Sequence, residues 1–448
     1  MTEQMRLNLF TMNAVEHVSV GSWRLPGDQS YRYHDREYWT DVARTAERGG
    51  FDAVFFADVR GIYDVYDDSR DPAIENAVQT PSNDPAYVVP AMADVTDNLG
   101  FAITKSTSYN HPYQLAREFS TLDHVTDGRV AFNVVTSYLE SAAANLGYDD
   151  RMDHDERYDR ADEFMDVCYA LWEDSWSDDA VIRDRDAGVY TDPGEVTAVD
   201  HHGEYFDVSG PHSAEPSPQR TPVLYQAGSS DRGREFAAAN AEAVFVSQPS
   251  ADAVREYVAD LRDRAVDHGR DPDSLAFFPG IVPIVGETEA VAQAKYDAYT
   301  DHIDTEGVLA LLSGFVDVDL SELDPDQRLE RIETEAIQGV VNAFTANDDR
   351  DWTVQEVAEF AGLGTTSPVV VGTPEQVADE FAYWFEDVGV DGFNVKEVAR
   401  PDSLEDFVDL VVPELRERGL LRESYTGETL RETTFGRPRL PDDHPGRR

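Results

Sequence analysis

Eight short apolar runs, each followed by a helical pattern, restrict the fold of this chain more than any other feature. The runs are "RLNLFTM", "FDAVFFAD", "LGFAITKS", "RVAFNVVTS", "PVLYQAG", "EAVFVS", "FFPGIVPIV" and "DGFNVKEV". They are nearly continuous in apolar residues, as strands covered on both faces must be. Between them, segments such as "REYWTDVARTAERGG" and "PYQLAREFSTLDHVTDG" carry apolar residues three and four apart, and several end in Gly, as a helix C-cap does. Eight β-then-α units predict a parallel sheet, and eight is the number of strands that closes a TIM barrel. The expected fold is therefore α/β, a TIM (β/α)8 barrel with loop insertions; a doubly wound open sheet is the alternative. Residues 1–448 read as one domain, with insertions at about 59–83, 174–222 and 303–372 and a C-terminal surface tail from about 423.

Charge narrows the classes of partner. Asp and Glu total 89 against 37 Lys and Arg, a net charge of −52, and the acids are spread along the whole length. Only Lys105, Lys295 and Lys396 are lysines. Such a surface repels itself unless salt screens it, and at molar salt the Debye length falls to about 3 Å. This pattern fits the cytoplasm of an extreme halophile better than a docking surface for a basic partner. No basic stripe exists to neutralise phosphates, so nucleic acid is disfavoured. No apolar run approaches the roughly 18–20 residues of a membrane span, and the start lacks a signal-peptide cleavage site, so the expected location is cytoplasmic. The single cysteine, Cys168, lies at helical spacing among apolar residues in "EFMDVCYALWE" and reads as structural. No metal-binding pattern is present.

In a barrel, function collects at the C-terminal ends of the strands. That filter selects Asn13, Asp58, Thr104, Ser106, Thr136, Ser137, Gly228, Ser229, Ser230 and Lys396. In "QAGSSDRGREF", backbone N–H groups and two hydroxyls meet at a helix N-terminus, which suits a phosphate; a plain Ser N-cap explains one hydroxyl equally well. Barrel phosphate sites usually follow strands seven and eight, whereas this is strand five. In "DHDERYDRADEF", His154, Arg157 and Tyr158 fall in the first turn of a helix, fit either for a phosphate or flavin edge or for an exposed polar turn. His17 lies just beyond the first strand and, with Tyr63, Gln79 and His302, is a candidate to line a pocket. Adjacent His residues in "HHGEYF" do not converge on a metal. No P-loop, dinucleotide fingerprint, zinc-protease motif or nucleophile elbow occurs.

Several long blocks, taken in order, carry more. "FDAVFFAD", "TLDHVTDGRVAFNVVTS", "HDERYDRADEFMDVCYALWEDSW", "HGEYFDVSGPHSAEPSPQRTPVLYQAGSSDRGREFAAANAEAVFV" and "VGTPEQVADEF" together resemble the bacterial-luciferase-like flavin-dependent monooxygenases. The likeness is to the branch of nitrilotriacetate, dibenzothiophene-sulfone and long-chain alkane monooxygenases, from about residue 5 to about 435. It implies an enzyme that uses reduced FMN and O2 to oxygenate a small organic substrate, with a separate NAD(P)H-dependent flavin reductase supplying the reduced FMN. It further implies an FMN site at Asp58, Thr104, Asn133 or Val134, His154, Tyr158, Ser229 and Ser230, with Arg157 helping at the phosphate. A substrate-side pocket would hold His17, Tyr63 and Gln79, His17 being the candidate for proton transfer. Association as homodimers or homotetramers is implied as well. The position that carries a cysteine in the alkane branch is Ala14 here, which argues against an alkane substrate. The alternatives are an F420-dependent hydride-transfer oxidoreductase on the same barrel and a non-catalytic flavin-binding protein.

Overall fold

The computed structural model describes residues 4–248, 250–324, 326–328 and 352–447. All eight expected strands form: β1 (Arg6–Met12), β2 (Ala53–Ala57), β3 (Gly100–Ser106), β4 (Val130–Val135), β5 (Val223–Gln226), β6 (Ala243–Val246), β7 (Ala276–Val285) and β8 (Gly392–Lys396). Each pairs in parallel with the next, and β8 returns to β1 in a register that sets Phe10 opposite Lys396, so the sheet closes. The open-sheet alternative is thereby excluded, and the fold is the closed eight-strand barrel. The strand Val369–Gly372 was not anticipated, nor was the short hairpin of Val181–Asp184 and Val189–Thr191 in the second insertion. Val369–Gly372 pairs with Val282–Val285, the outer half of the ten-residue β7. The inner half of β7, Ala276–Pro279, pairs with β6.

Alternation along each strand builds two cores. Residues such as Leu7, Leu9, Val54, Phe56, Phe101 and Ile103 face the surrounding helices, while Ala53, Phe55, Ala102, Ala131, Tyr225 and Phe278 fill the barrel interior. A polar layer crosses that interior. The Tyr225 hydroxyl donates to Asn8 Oδ1 (3.3 Å), Asn8 Nδ2 to Asn394 Oδ1 (3.1 Å), and Asn394 Nδ2 to the Phe278 carbonyl (3.1 Å). Buried polar groups are tolerated when paired in this way.

The helices that position the site are α1 (Arg36–Arg48), α2 (Pro112–Val125), α3 (His154–Tyr169), α4 (Asp231–Asn240), α5 (Ala251–Asp267), α6 (Glu289–Thr300), α7 (Thr305–Val316), α8 (Val354–Ala361) and α9 (Pro374–Ala382). Cys168 on α3 is fully buried, with its thiol pushed well above the usual range by burial. Helix α7, from the third insertion, lies over the C-terminal mouth. A Cβ added to Gly314 would come within 2.1 Å of Tyr63 Cδ1, and one on Gly307 within 2.6 Å of Val20, so small residues let this helix seat closely. Part of that insertion, 329–351, lies outside the described residues.

The C-terminal segment departs from expectation. It is mostly half-buried or exposed, but it crosses the N-terminal mouth of the barrel, where Leu430 joins the interior cluster and Arg431 is fully buried. Arg431 forms two hydrogen bonds of 2.9 Å with Glu242, itself fully buried, and Nη2 also donates to the Thr221 carbonyl. A polar sequence reads as surface, but an Arg with its own carboxylate can be buried. Among the described residues no helix is long and apolar enough to cross a membrane.

Candidate cofactor site and active site

The loops at the C-terminal mouth enclose a cavity of about 460 Å3. Asp58 after β2, Val134 at the end of β4, His154, Arg157 and Tyr158 on α3, and Ser229 and Ser230 after β5 all line it. These residues come from four separated stretches, and the barrel brings them together because each ends or follows a strand or opens the helix behind one.

Ser230 settles half of the question its sequence poses. Its hydroxyl caps α4, accepting from the Gly233 N–H at 3.1 Å. A hydroxyl that accepts through a lone pair still has its proton to donate, so the capping role and a phosphate contact do not exclude each other. Tyr158 reaches the side chains of Ser230 and Thr136, and its hydroxyl lies so close to α4 that a Cβ on Gly233 would come within 2.7 Å of it. The adjacent loop is held by Gly228, whose carbonyl accepts from Tyr257 at 2.6 Å. Arg157 is buried, gives Nη1 to the Met152 carbonyl at 2.7 Å, and leaves Nε without a partner. Hydroxyls, a buried guanidinium and a helix N-terminus at one end of a cavity form a donor set that fits a phosphate. His154 stands at the rim against the Tyr158 ring, 5.3 Å between centroids.

Asp58 has its carboxyl pushed up to about 6 by burial and the nearby Asp84, with Lys105 opposing. Lys105 is itself held by Asp84 at 2.7 Å and Glu118 at 3.0 Å. Thr104 and Asn133 do not line the cavity. They lie in the barrel below it, Asn133 Nδ2 donating to the Thr104 hydroxyl (2.8 Å), which donates to the Phe56 carbonyl (2.7 Å). Asn133 Oδ1 remains unpartnered.

His17, Tyr63 and Gln79 meet in a second group, all at least nine-tenths buried. Tyr63 donates to Gln79 Oε1 at 3.1 Å, and Gln79 Nε2 donates to the His17 carbonyl at 3.0 Å. The connection to the cavity is Tyr138, whose hydroxyl lies 2.5 Å from that of Tyr63. Tyr138 lines the main cavity and a neighbouring one of about 400 Å3, as does Phe315 of α7. The Phe315 ring packs edge-on against both tyrosines. Both residues escaped the sequence reading. Tyr138 directly follows "VVTS", where a longer view of the strand end would have included it; Phe315 sits in an apolar helix whose pattern reads as core. His302 does not join the group, because its ring bonds the Ala298 carbonyl (2.7 Å) of its own helix turn.

Electrostatics behind His17 are set by cations. Burial, then Lys396 and Arg400, hold its imidazole well below its ordinary value, so it is neutral at physiological pH. Lys396 is buried, donates to the Gly364 carbonyl at 3.0 Å, and lies over the rings of Phe10 and Phe245. Burial brings its ammonium down to about 7.

A closed (β/α)8 barrel with a lined cavity at the C-terminal mouth is the architecture of a barrel enzyme. Residues 12–392 match the luciferase-like monooxygenase family, and the chain belongs to it. It is 48% identical over 446 residues to the long-chain alkane monooxygenase of Geobacillus thermodenitrificans (strain NG80-2), covering 99% of this chain and 97% of that one. It is 46% identical over 448 residues to the dimethyl-sulfide monooxygenase of Hyphomicrobium sulfonivorans, covering 99% and 93%. A solved riboflavin lyase, with modified FMN and riboflavin, superposes at a TM-score of 0.90 with 36% identity, covering 99% of this chain and 98% of that one. The protein is accordingly an oxidoreductase that acts with incorporation of oxygen.

Proposed function

We propose that the chain is the oxygenating component of a two-component FMN monooxygenase, taking reduced FMN from a separate NAD(P)H-dependent flavin reductase and acting with O2 on a small organic substrate. The observation that carries this reading is one cavity lined both by a phosphate-type donor set and by Tyr138, through which the Tyr63–Gln79–His17 group meets it. Bound there, reduced FMN supplies the electrons that activate O2. Ser229, Ser230, Tyr158 and Arg157 hold the phosphate, with His154 at the rim. Asp58 and Val134 flank the ring system, and Thr104 with Asn133 supports it from below. Helix α7 and Phe315 exclude water from the reacting face. The paired hydroxyls of Tyr138 and Tyr63 would hold a proton at the cavity wall, and the neutral imidazole of His17, whose carbonyl anchors Gln79, is the separate candidate for the proton transfer that oxygenation requires.

The substrate is small and apolar or weakly polar, because Tyr138, Phe315 and Phe245 form the walls nearest the tyrosine pair. Ala14, where the alkane branch carries a cysteine, speaks against alkanes. We place the enzyme in the cytoplasm of a salt-accumulating organism, as a homodimer or homotetramer. Anaerobic titration with photoreduced FMN and, separately, reduced F420 tests the cofactor. The expected result is saturable FMN binding that Arg157→Ala weakens, with no F420 binding. Tight F420 binding without FMN binding would replace this reading by hydride transfer.

A further inference from the structure

At the opposite, N-terminal mouth of the barrel lies a cavity of about 220 Å3 that the flavin chemistry does not use. Arg6, the first residue of β1, lines it with Arg262 of α5 and Arg437 of the C-terminal segment. Arg6 is 8% exposed, yet its guanidinium makes no hydrogen bond among the described residues, and its one ion pair, with Asp391, is long at 3.9 Å. Arg6 is buried along its stem while its guanidinium opens on the cavity, so its N–H groups look for an acceptor there. The other two arginines are also under-used. Arg262 reaches Asp273 only at 4.0 Å, Arg437 reaches Glu242 at 3.3 Å, and the Nε of each is buried without a partner. The guanidinium carbons of Arg6 and Arg437 both lie over the Phe435 ring, 5.5 and 5.0 Å from its centroid, and all three residues line the cavity.

The local charge favours an anion. Arg6, Arg262, Arg437 and Arg431 are four cations, against three carboxylates, Asp391, Asp273 and Glu242. The excess is one positive charge, in a chain whose net charge is −52. Asp391 is already engaged, accepting from the Phe277 N–H at 3.0 Å, and Asp273 is largely in solvent.

We propose that this cavity binds one small monovalent inorganic anion between Arg6, Arg262 and Arg437, and that the ion fastens the C-terminal segment to the first strand of the barrel. A ligand that binds only the folded state stabilises it by RT ln(1 + [L]/Kd), flat below Kd and rising with the logarithm of concentration above it, whereas screening is unchanged at constant ionic strength. The probe is chloride, with bromide for detection. Thermal unfolding is followed as chloride replaces gluconate at constant ionic strength, in the wild type and in Arg262→Met, whose side chain is one-third exposed and is expected to fold normally. The expected result is a wild-type Tm that rises with the logarithm of chloride concentration above an onset, and an onset at least tenfold higher in chloride for Arg262→Met. Crystals grown in bromide should show an anomalous peak within hydrogen-bond distance of Arg6. Identical chloride curves for both proteins, or a bromide map with no peak in the cavity, would mean that water alone fills it and would overturn the proposal.

Discussion

Replacing Ser230 by Asp changes the charge of the candidate phosphate site while leaving its helix cap in place. The wild-type hydroxyl accepts from the Gly233 N–H, and Asp accepts there as well as Ser does, so α4 should keep its start. What changes is a carboxylate facing the position proposed for the phosphate. Two unit charges at about 4 Å repel by about 4 kcal/mol at an effective dielectric near 20. Ser230 is half-buried, so about half of that survives screening, leaving roughly 2 kcal/mol and a thirtyfold weaker complex. Ser230→Asn is the neutral control, since it caps the helix without the charge. The assay is fluorescence titration of FMN at the lowest salt that keeps the protein folded, with thermal unfolding of each variant alongside. Ser230→Asp should bind about thirty times more weakly with little change in Tm, and Ser230→Asn should bind within a few-fold of wild type. FMN affinity within threefold of wild type in folded Ser230→Asp would refute the placement of the phosphate.

Asp58→Asn should stabilise the protein at pH 7 and leave it unchanged at pH 4. The folded carboxyl titrates near 6 against about 3.8 unfolded, so ionisation penalises the folded state increasingly from pH 4 to 6, by up to about 3 kcal/mol; pH-dependent chemical denaturation reads this directly. His17, held neutral in the fold, should show no titration between pH 5.5 and 8 in the NMR spectrum of labelled histidine, and its contribution to stability should be lost as pH falls below about 6.5, where the unfolded chain takes up the proton first. A His17 midpoint near 6.5 would contradict its burial beside Lys396 and Arg400. Arg431→Met should cost about 3 kcal/mol by leaving the buried Glu242 with only the longer Arg437 contact, and adding Glu242→Gln should recover part of the loss in urea unfolding. Tyr138→Phe removes one partner of the Tyr63 hydroxyl but leaves Gln79, so the stability cost should stay near 0.5–1.5 kcal/mol while substrate oxygenation slows.

The eight strands were legible because their faces are both covered, which writes each as a continuous apolar run between helical patterns. Val369–Gly372 was not, since this short half-buried valine run sits directly against the capping box Thr373–Gln376 and reads as the approach to a helix. The C-terminal segment misled for a related reason: a buried ion pair such as Arg431–Glu242 has the same letters as an exposed one, and its partner is 189 residues away. The cavity-lining residues Asp58, Val134, Arg157, Tyr158, Ser229 and Ser230 could be collected from strand ends and the family resemblance. Their distances could not, nor could the difference between lining the cavity and lying beneath it, which separates Val134 from Asn133, one residue apart. Tyr138 joins the two groups through side-chain direction alone, and periodicity does not encode that.

Closure of the barrel depends on residues made near the end of synthesis. Strand β1 needs β8, through Asn8 and Asn394, and the N-terminal mouth is filled by Leu430 and Arg431. At roughly 5–20 residues per second, the first strand leaves the ribosome on the order of 20–80 s before its last neighbour is made. During that interval β1 presents an unpaired edge beside unfilled apolar space. A chain stalled before Gly392 would therefore present an unpaired β1 edge that the finished barrel covers with β8.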